Sequence, residues 1–225
     1  MVKNIKANIL NINPEPIGVY QIENEIHQKF KQLLNSVWNK ANSSFRQERD
    51  SGTRHICNQS GQNLFRDFTE LAGMESVLKQ IVLDYIEKIG NTCEDILFNS
   101  SWINKSDKGT VLSDHSHANS LISANYFVNY DEEKHTALSF ANDRHDRWHT
   151  IKPLPALRMK AAPKLNMYNA PRITPTVKEG FVLVWRSNVV HGYEKPNLEG
   201  GRMTLSLNAM PTIVDSGLYK FEVSS

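Results

Sequence analysis

The spacing of apolar residues changes near residue 95, and that change restricts the chain to folds in which helices come first and back a β-rich core. Upstream, the spacing is helical. Residues 24–41 carry Ile26, Phe30, Leu33, Leu34 and Trp38 at three- and four-residue steps, which paints one face of a helix. A second amphipathic stretch spans about 65–89, with Leu71, Val77, Ile81, Val82 and Tyr85 as its stripe and Gly90-Asn91 as a stop signal. The opening is interrupted by Pro14 and Pro16, and residues 47–63 are polar and turn-rich, so both read as irregular. Downstream, short runs at 96–103, 121–130, 136–140, 180–185 and 202–208 are β-branched, aromatic or alternating, which is the pattern of strands. Lys108-Gly109, Asp131-Glu132-Glu133, Pro196-Asn197 and Gly200-Gly201 separate them as turns. The expected class is α+β with a mainly β core, a sandwich or barrel backed by two helices. One domain is expected over 1–225, with its helical part at about 20–92 and its core at about 95–212.

Composition narrows the partners. The formal net charge is +2 and the basic residues are scattered, so no stripe for a phosphate backbone is present and no nucleic-acid partner is expected. No apolar run approaches the length of a membrane span. The N-terminal residues lack the apolar segment of a secretory signal. Two cysteines, Cys57 and Cys93, make neither a disulfide framework nor a Cys-x-x-Cys pair. A cytoplasmic protein is the expectation.

Chemistry concentrates in the second half. His115 and His117 precede a strand-like run, and residues two apart in an extended chain point to one side. Such a pair can aim two imidazoles at one cation, although the spacing also arises at ordinary surfaces. His191 follows the apolar run 181–185 and a short turn, a position from which it can reach the mouth of a barrel or serve as a hydrogen-bonded rim residue. In 202–208, Met203, Leu205 and Leu207 take one face and Arg202, Thr204, Ser206 and Asn208 the other. If the polar face lines a cavity, Arg202 can hold a carboxylate at two points, with a hydroxyl two residues on; an edge strand wetted on that face is the alternative.

These features, in this order, resemble the iron- and 2-oxoglutarate-dependent oxygenases, in the bacterial and phage branch described as putative 2OG-Fe(II) oxygenases. That branch carries Trp, a gap, then His-x-His-x-Asn-Ser-x-x-Ser-Gly-x-Tyr-Tyr. Here Trp102 is followed by His115-Ser116-His117-Ala118-Asn119-Ser120-Leu121-Ile122-Ser123-Ala124-Asn125-Tyr126-Phe127. The later Gly-x-Leu-Val-x-Phe-Pro-Ser-x-x-x-His and Arg-x-Ser-x-Ser-x-Asn patterns correspond to 180–191 and 202–208. The resemblance covers about 96–208, half the chain. Ala124 stands at the glycine position and Trp185-Arg186 at Phe-Pro. No acid stands two residues after His115 or His117, where most of the superfamily has its metal carboxylate.

The resemblance implies a double-stranded β-helix (jelly roll). It implies Fe(II) on His115, His117 and His191, either as three histidines or as two with water. Asp114 alternates away from His115, and Asp143 and Asp146 are remote candidates for a carboxylate ligand. It further implies 2-oxoglutarate gripped by Arg202, with Thr204, Ser206 and Tyr126 as supporting donors, and O2 as co-substrate. The implied reaction is hydroxylation of a C–H bond as 2-oxoglutarate is decarboxylated to succinate. The Pro-rich stretch 141–175 becomes a candidate substrate lid, in which His145, Trp148 and His149 either contact substrate or are ordinary solvated loop residues, the latter being the more common case. Two alternatives stay open: a cupin-like three-histidine metalloenzyme that uses no 2-oxoglutarate, and a non-catalytic jelly-roll binding or structural protein.

Overall fold

The computed structural model describes residues 15–41, 45–47, 53–56, 63–141, 170 and 172–224, with 45–47 and 53–56 as backbone. Helix α1, Asn24–Lys40, buries His27, Phe30, Leu34, Val37 and Trp38 along one stripe. The second stripe, expected as one helix, is broken. Asn63 caps a short α2, Leu64–Asp67, by accepting the Phe65 N–H at 3.2 Å. Phe68 then turns extended, and a 3-10 turn at Thr69–Leu71 leads into α3, Ala72–Lys88. α3 buries Met74, Leu78, Val82, Tyr85 and Ile86. Among the described residues, no helix is long and apolar enough to cross a membrane.

The strands form two antiparallel sheets. In the larger, β1 (Gly18–Gln21), β9 (Phe181–Arg186), β6 (Ile122–Asn129), β11 (Arg202–Pro211), β4 (Ile96–Ser106), β3 (Thr53–Ile56) and β2 (Phe45–Gln47) lie in that order. In the smaller, the order is β5 (Leu112–His115), β10 (His191–Tyr193), β7 (Ser139–Ala141) and β8 (Arg172–Ile173). A separate hairpin joins β12 (Ile213–Asp215) to β13 (Lys220–Glu222). This is the jelly-roll arrangement, a double-stranded β-helix backed by helices.

Strand alternation divides the interior in two. Ile103, Ala124, Tyr126, Val128, Val182, Val184, Met203, Leu205 and Leu207 join the buried residues of α1 and α3 in one core. Phe127, Leu138, Phe140, Leu183, Trp185, Val189 and Tyr193 form a second core between the sheets. β11 is not an edge strand: it pairs with β4 on one side and β6 on the other. Its polar residues Arg202, Thr204, Ser206 and Asn208 are all buried, so each needs a partner inside the protein or a ligand.

Within the polar, turn-rich 47–63, the described residues Thr53–Ile56 form β3, which with β2 extends the larger sheet beyond β4. β1, β5, β8, β10 and the final hairpin also lacked a readable period. Each is two to four residues long, too short for alternation to register. The run expected at 136–140 is strand only in β7, Ser139–Ala141.

Leu34 is fully buried in the helix-side core, whereas Leu218 is 93% exposed on the final hairpin. Leu34→Ala is expected to lower the urea unfolding free energy by about 2–5 kcal/mol, and Leu218→Ala by less than about 0.5 kcal/mol. Equal losses at the two positions would contradict this division of core and surface.

Candidate metal centre

The smaller sheet brings together histidines that are far apart in sequence. His115 ends β5, His191 opens β10, and the two are direct partners in the ladder. His117 lies past the end of β5 rather than on it, so strand alternation alone does not aim its ring. Its backbone N–H donates to the Ser187 carbonyl at 2.8 Å, which anchors it beside the turn that leads to His191. Ring centroids are 4.4 Å apart for His115 and His191, and 5.2 Å apart for each pair that includes His117. One ligand atom from each residue lies within 4.8 Å of the others.

Two of the rings present a defined nitrogen. His115 Nδ1 lies 2.8 Å from the Ser113 carbonyl, and His191 Nδ1 lies 2.9 Å from the Val189 carbonyl. A carbonyl only accepts, so Nδ1 carries the proton in each neutral ring and Nε2 keeps a free lone pair. Burial, reinforced by neighbouring histidines, pushes the His117 imidazole down to about 4 and the His191 imidazole down to about 3. Both are therefore neutral at pH 7, the state a metal ligand requires. The cluster contains no carboxylate among the described residues. Asp114 faces away from the rings and pairs with Arg172 at 2.5 Å. Asp143, Asp146, His145, Trp148 and His149, with nearly all of the expected lid, lie outside the described residues.

Asp114 has a structural role that its sequence position did not reveal. A Cβ on Gly192 would meet the Leu112 carbonyl oxygen at 2.6 Å, Asp114 Oδ1 at 2.7 Å and the Ser113 carbonyl oxygen at 3.0 Å. The missing side chain is the space into which β5 and the Asp114 carboxylate fit. Arg172 then spans the back of the sheet, donating to Asp114, to Ser139 Oγ at 2.9 Å and to the Ser139 carbonyl at 3.2 Å. It thereby ties β5 to β7 across the strand that carries His191.

On the inner face of β11, Arg202 is 3% exposed. Its guanidinium lies 4.9 Å from the Tyr193 ring centroid and 5.6 Å from that of Phe127. Burial disfavours its charge, Nε has no hydrogen-bond partner, and among the described residues no carboxylate forms an ion pair with it. A buried cation without a counter-charge is costly. Ser206 Oγ accepts from Asn104 Nδ2 at 2.8 Å and from Asn125 Nδ2 at 3.1 Å, while Thr204 Oγ1 is 3.5 Å from Asn104 Nδ2. Asn125 Oδ1 and Trp185 Nε1 are buried without partners. Asn104, Asn125 and Trp185 were missed in the sequence. They face inward by the same parity rule, on β4, β6 and β9, that was applied only to β11.

Tyr126 must be removed from the inner set. It shares a face with Ala124 and Val128 in the helix-side core, and its hydroxyl lies 2.6 Å from His27 Nδ1. His27 Nε2 lies 3.0 Å from Glu179 Oε1. An acceptor carboxylate on Nε2 makes Nδ1 the acceptor for the tyrosine O–H. Asn125, one residue earlier, holds the inward position.

Residues 100–208 match the family described as "Putative 2OG-Fe(II) oxygenase". The chain has the signature and the fold of the 2OG-Fe(II) oxygenases. Among solved structures it is similar to the non-heme alpha ketoglutarate dependent carbocyclase SnoK from nogalamycin biosynthesis, with TM-score 0.62, 13% identity, and 88% of this chain and 81% of that chain covered. It is similar also to HygX from Streptomyces hygroscopicus, solved with nickel, 2-oxoglutarate and hygromycin B, with TM-score 0.57, 14% identity and coverages of 88% and 84%. An oxidoreductase of the 2OG-Fe(II) oxygenase family from Burkholderia pseudomallei matches with TM-score 0.52, 10% identity and coverages of 86% and 84%. At such identities the likeness is one of fold. No curated protein matches the chain. The donors fit the groups after which this family is named: three imidazoles suit a divalent transition metal, and a buried guanidinium with no carboxylate partner among the described residues suits a carboxylate ligand.

Two outcomes test the centre. An unfolded imidazole titrates near 6.5, so below that pH the unfolded chain takes up protons that folded His117 and His191 refuse. Their contribution to stability is whole above pH 6.5 and falls away as the pH drops toward 4. Thermal melts of protein held in chelator are expected to show this acid-side fall, and His191→Phe to make it shallower; an identical slope in the variant would contradict the buried, neutral ring. Gly192→Ala is expected to force β5 away from β10 and weaken Co(II) binding by about tenfold or more, with the helical circular dichroism kept. Unchanged Co(II) binding would contradict the tight fit.

Proposed function

We propose that this protein is a 2-oxoglutarate-dependent Fe(II) oxygenase that holds iron on His115, His117 and His191 and hydroxylates a C–H bond. One observation carries the reading: a buried arginine with no carboxylate partner among the described residues faces the same interior as three converging histidines. Iron and 2-oxoglutarate, when bound, supply the activation of O2, and the overall balance is substrate plus 2-oxoglutarate plus O2 giving hydroxylated product, succinate and CO2.

The chain's own residues bind and orient. Arg202 receives the far carboxylate of 2-oxoglutarate in two-point geometry, with the Tyr193 and Phe127 rings flanking its guanidinium. Thr204 and Ser206 stand beside it, their hydroxyls held by Asn104 and Asn125. Trp185 and Phe140 pack around His191, with ring centroids 4.8 Å and 6.1 Å away, and keep water from that side of the centre. Trp102 borders His117 at 5.8 Å. A cupin-like three-histidine enzyme that uses no 2-oxoglutarate would leave Arg202 buried without an anion.

The test uses anaerobic protein loaded with Fe(II). Addition of 2-oxoglutarate is expected to raise a weak visible charge-transfer band, and exposure to air to release succinate. Arg202→Met is expected to raise the 2-oxoglutarate concentration at half-maximal band intensity by about tenfold or more. Without 2-oxoglutarate the variant should be no less stable than wild type, since a buried charge with no carboxylate partner among the described residues has been removed. An unchanged 2-oxoglutarate requirement would take Arg202 out of this role, and absence of both band and succinate would overturn the reading.

A further inference from the structure

We propose that Asn208 is a positioning residue that sets the proton on His117, turning its side-chain amide so that Oδ1 accepts the His117 Nδ1–H and Nε2 is left free for metal. This rests on the three-histidine reading above and adds to it the control of the third ligand. His115 and His191 need no such control, because each Nδ1 faces a backbone carbonyl. His117 Nδ1 instead faces the Asn208 amide, 3.3 Å from its Nδ2. An amide offers a donor at one end and an acceptor at the other, and which end faces the ring decides the tautomer. With the N–H end toward the ring, Nδ1 must accept, the proton moves to Nε2, and the nitrogen that its two neighbours present to metal is capped on His117. With the carbonyl end toward the ring, all three histidines present Nε2.

The surroundings permit the turn, because each remaining contact of the amide is to a hydroxyl. Asn208 is 2% exposed. Its Nδ2 lies 2.9 Å from Ser100 Oγ, and its Oδ1 lies 2.8 Å from Ser123 Oγ, which is in turn 2.8 Å from Ser187 Oγ. Every one of these neighbours is a hydroxyl, able to donate or to accept. After the turn, Ser100 donates to Oδ1 alongside His117, Nδ2 donates to Ser123, and Ser123 donates to Ser187. The same network grips the His117 backbone, since the Ser187 carbonyl accepts the His117 N–H. Asn208 is thus tied through Ser123 and Ser187 to the main chain of His117 as well as to its ring.

The experiment compares Asn208→Ala and Asn208→Asp with wild type by Co(II) titration followed in the visible d–d bands, with thermal melts of the metal-free proteins as the check on folding. Asn208→Ala removes the acceptor and is expected to weaken Co(II) binding by about 10- to 100-fold. Asn208→Asp keeps an acceptor toward Nδ1–H and is expected to rescue binding to within about threefold of wild type. In the Zn(II)-loaded wild type, nitrogen-15 NMR should show His117 with Nδ1 protonated and Nε2 on the metal. Wild-type binding that persists unchanged in Asn208→Ala, or a His117 bound through Nδ1, overturns this inference alone. Loss of binding in a folded Asn208→Asp also overturns it. Wild-type protein that binds no Co(II) overturns the three-histidine reading and this inference with it.

Discussion

Everything in this molecule leans on one strand that is hydrogen-bonded along both edges and buried on both faces. β11 pairs with β4 over its whole length and with β6 over most of it. Met203, Leu205 and Leu207 pack against the helices, and Arg202, Thr204, Ser206 and Asn208 fill the space between the sheets. A single period-two pattern therefore serves stability on one side and ligand chemistry on the other. A one-residue slip would place an arginine in the helix-side core, so the register is held by the cost of burying that charge. Arg202 at one end of the strand and Asn208 six positions on mark the two ends of this interior, which on the proposed function would be its anion end and its metal end.

The parts of this design that the sequence disclosed are those written in long periods or in motif order. The α1 stripe appears within one residue of its expected bounds. The strands at 96–106, 122–129, 181–186 and 202–211 lie where their runs predicted. What stayed hidden is what depends on pairing between distant segments. β5 and β10 are four and three residues long, yet their pairing sets His115 against His191. Arg172 and Asp114 are 58 positions apart and meet only because β8 and β5 flank the same two strands. Tyr126 was misplaced for a plainer reason. Its residue type suits a hydrogen bond to a carboxylate, but its parity on β6 matches Ala124 and Val128, and face outranks residue type inside a sheet.

A cluster of three imidazoles with no carboxylate among the described residues has no anionic group with which to fix its geometry. Where a carboxylate would orient itself by attraction to the cation, two of these imidazoles are oriented by hydrogen bonds to the main chain, at the Ser113 and Val189 carbonyls, and the backbone of the third donates to the Ser187 carbonyl. Precision in the centre is thus borrowed from the loops and turns behind it.

The smaller sheet that carries two of the three rings has strands of only two to four residues, while the larger contains strands of up to eleven. Among the described residues few ladder bonds hold it, which places it in the part of the molecule expected to open first, with slow hydrogen exchange expected in the larger sheet and its helices. On the proposed function, an ion shared by β5 and β10 would add a cross-link where the ladder is thinnest. Metal uptake and closure of this layer would then be a single coupled equilibrium, with the ion completing the fold of the very wall that binds it.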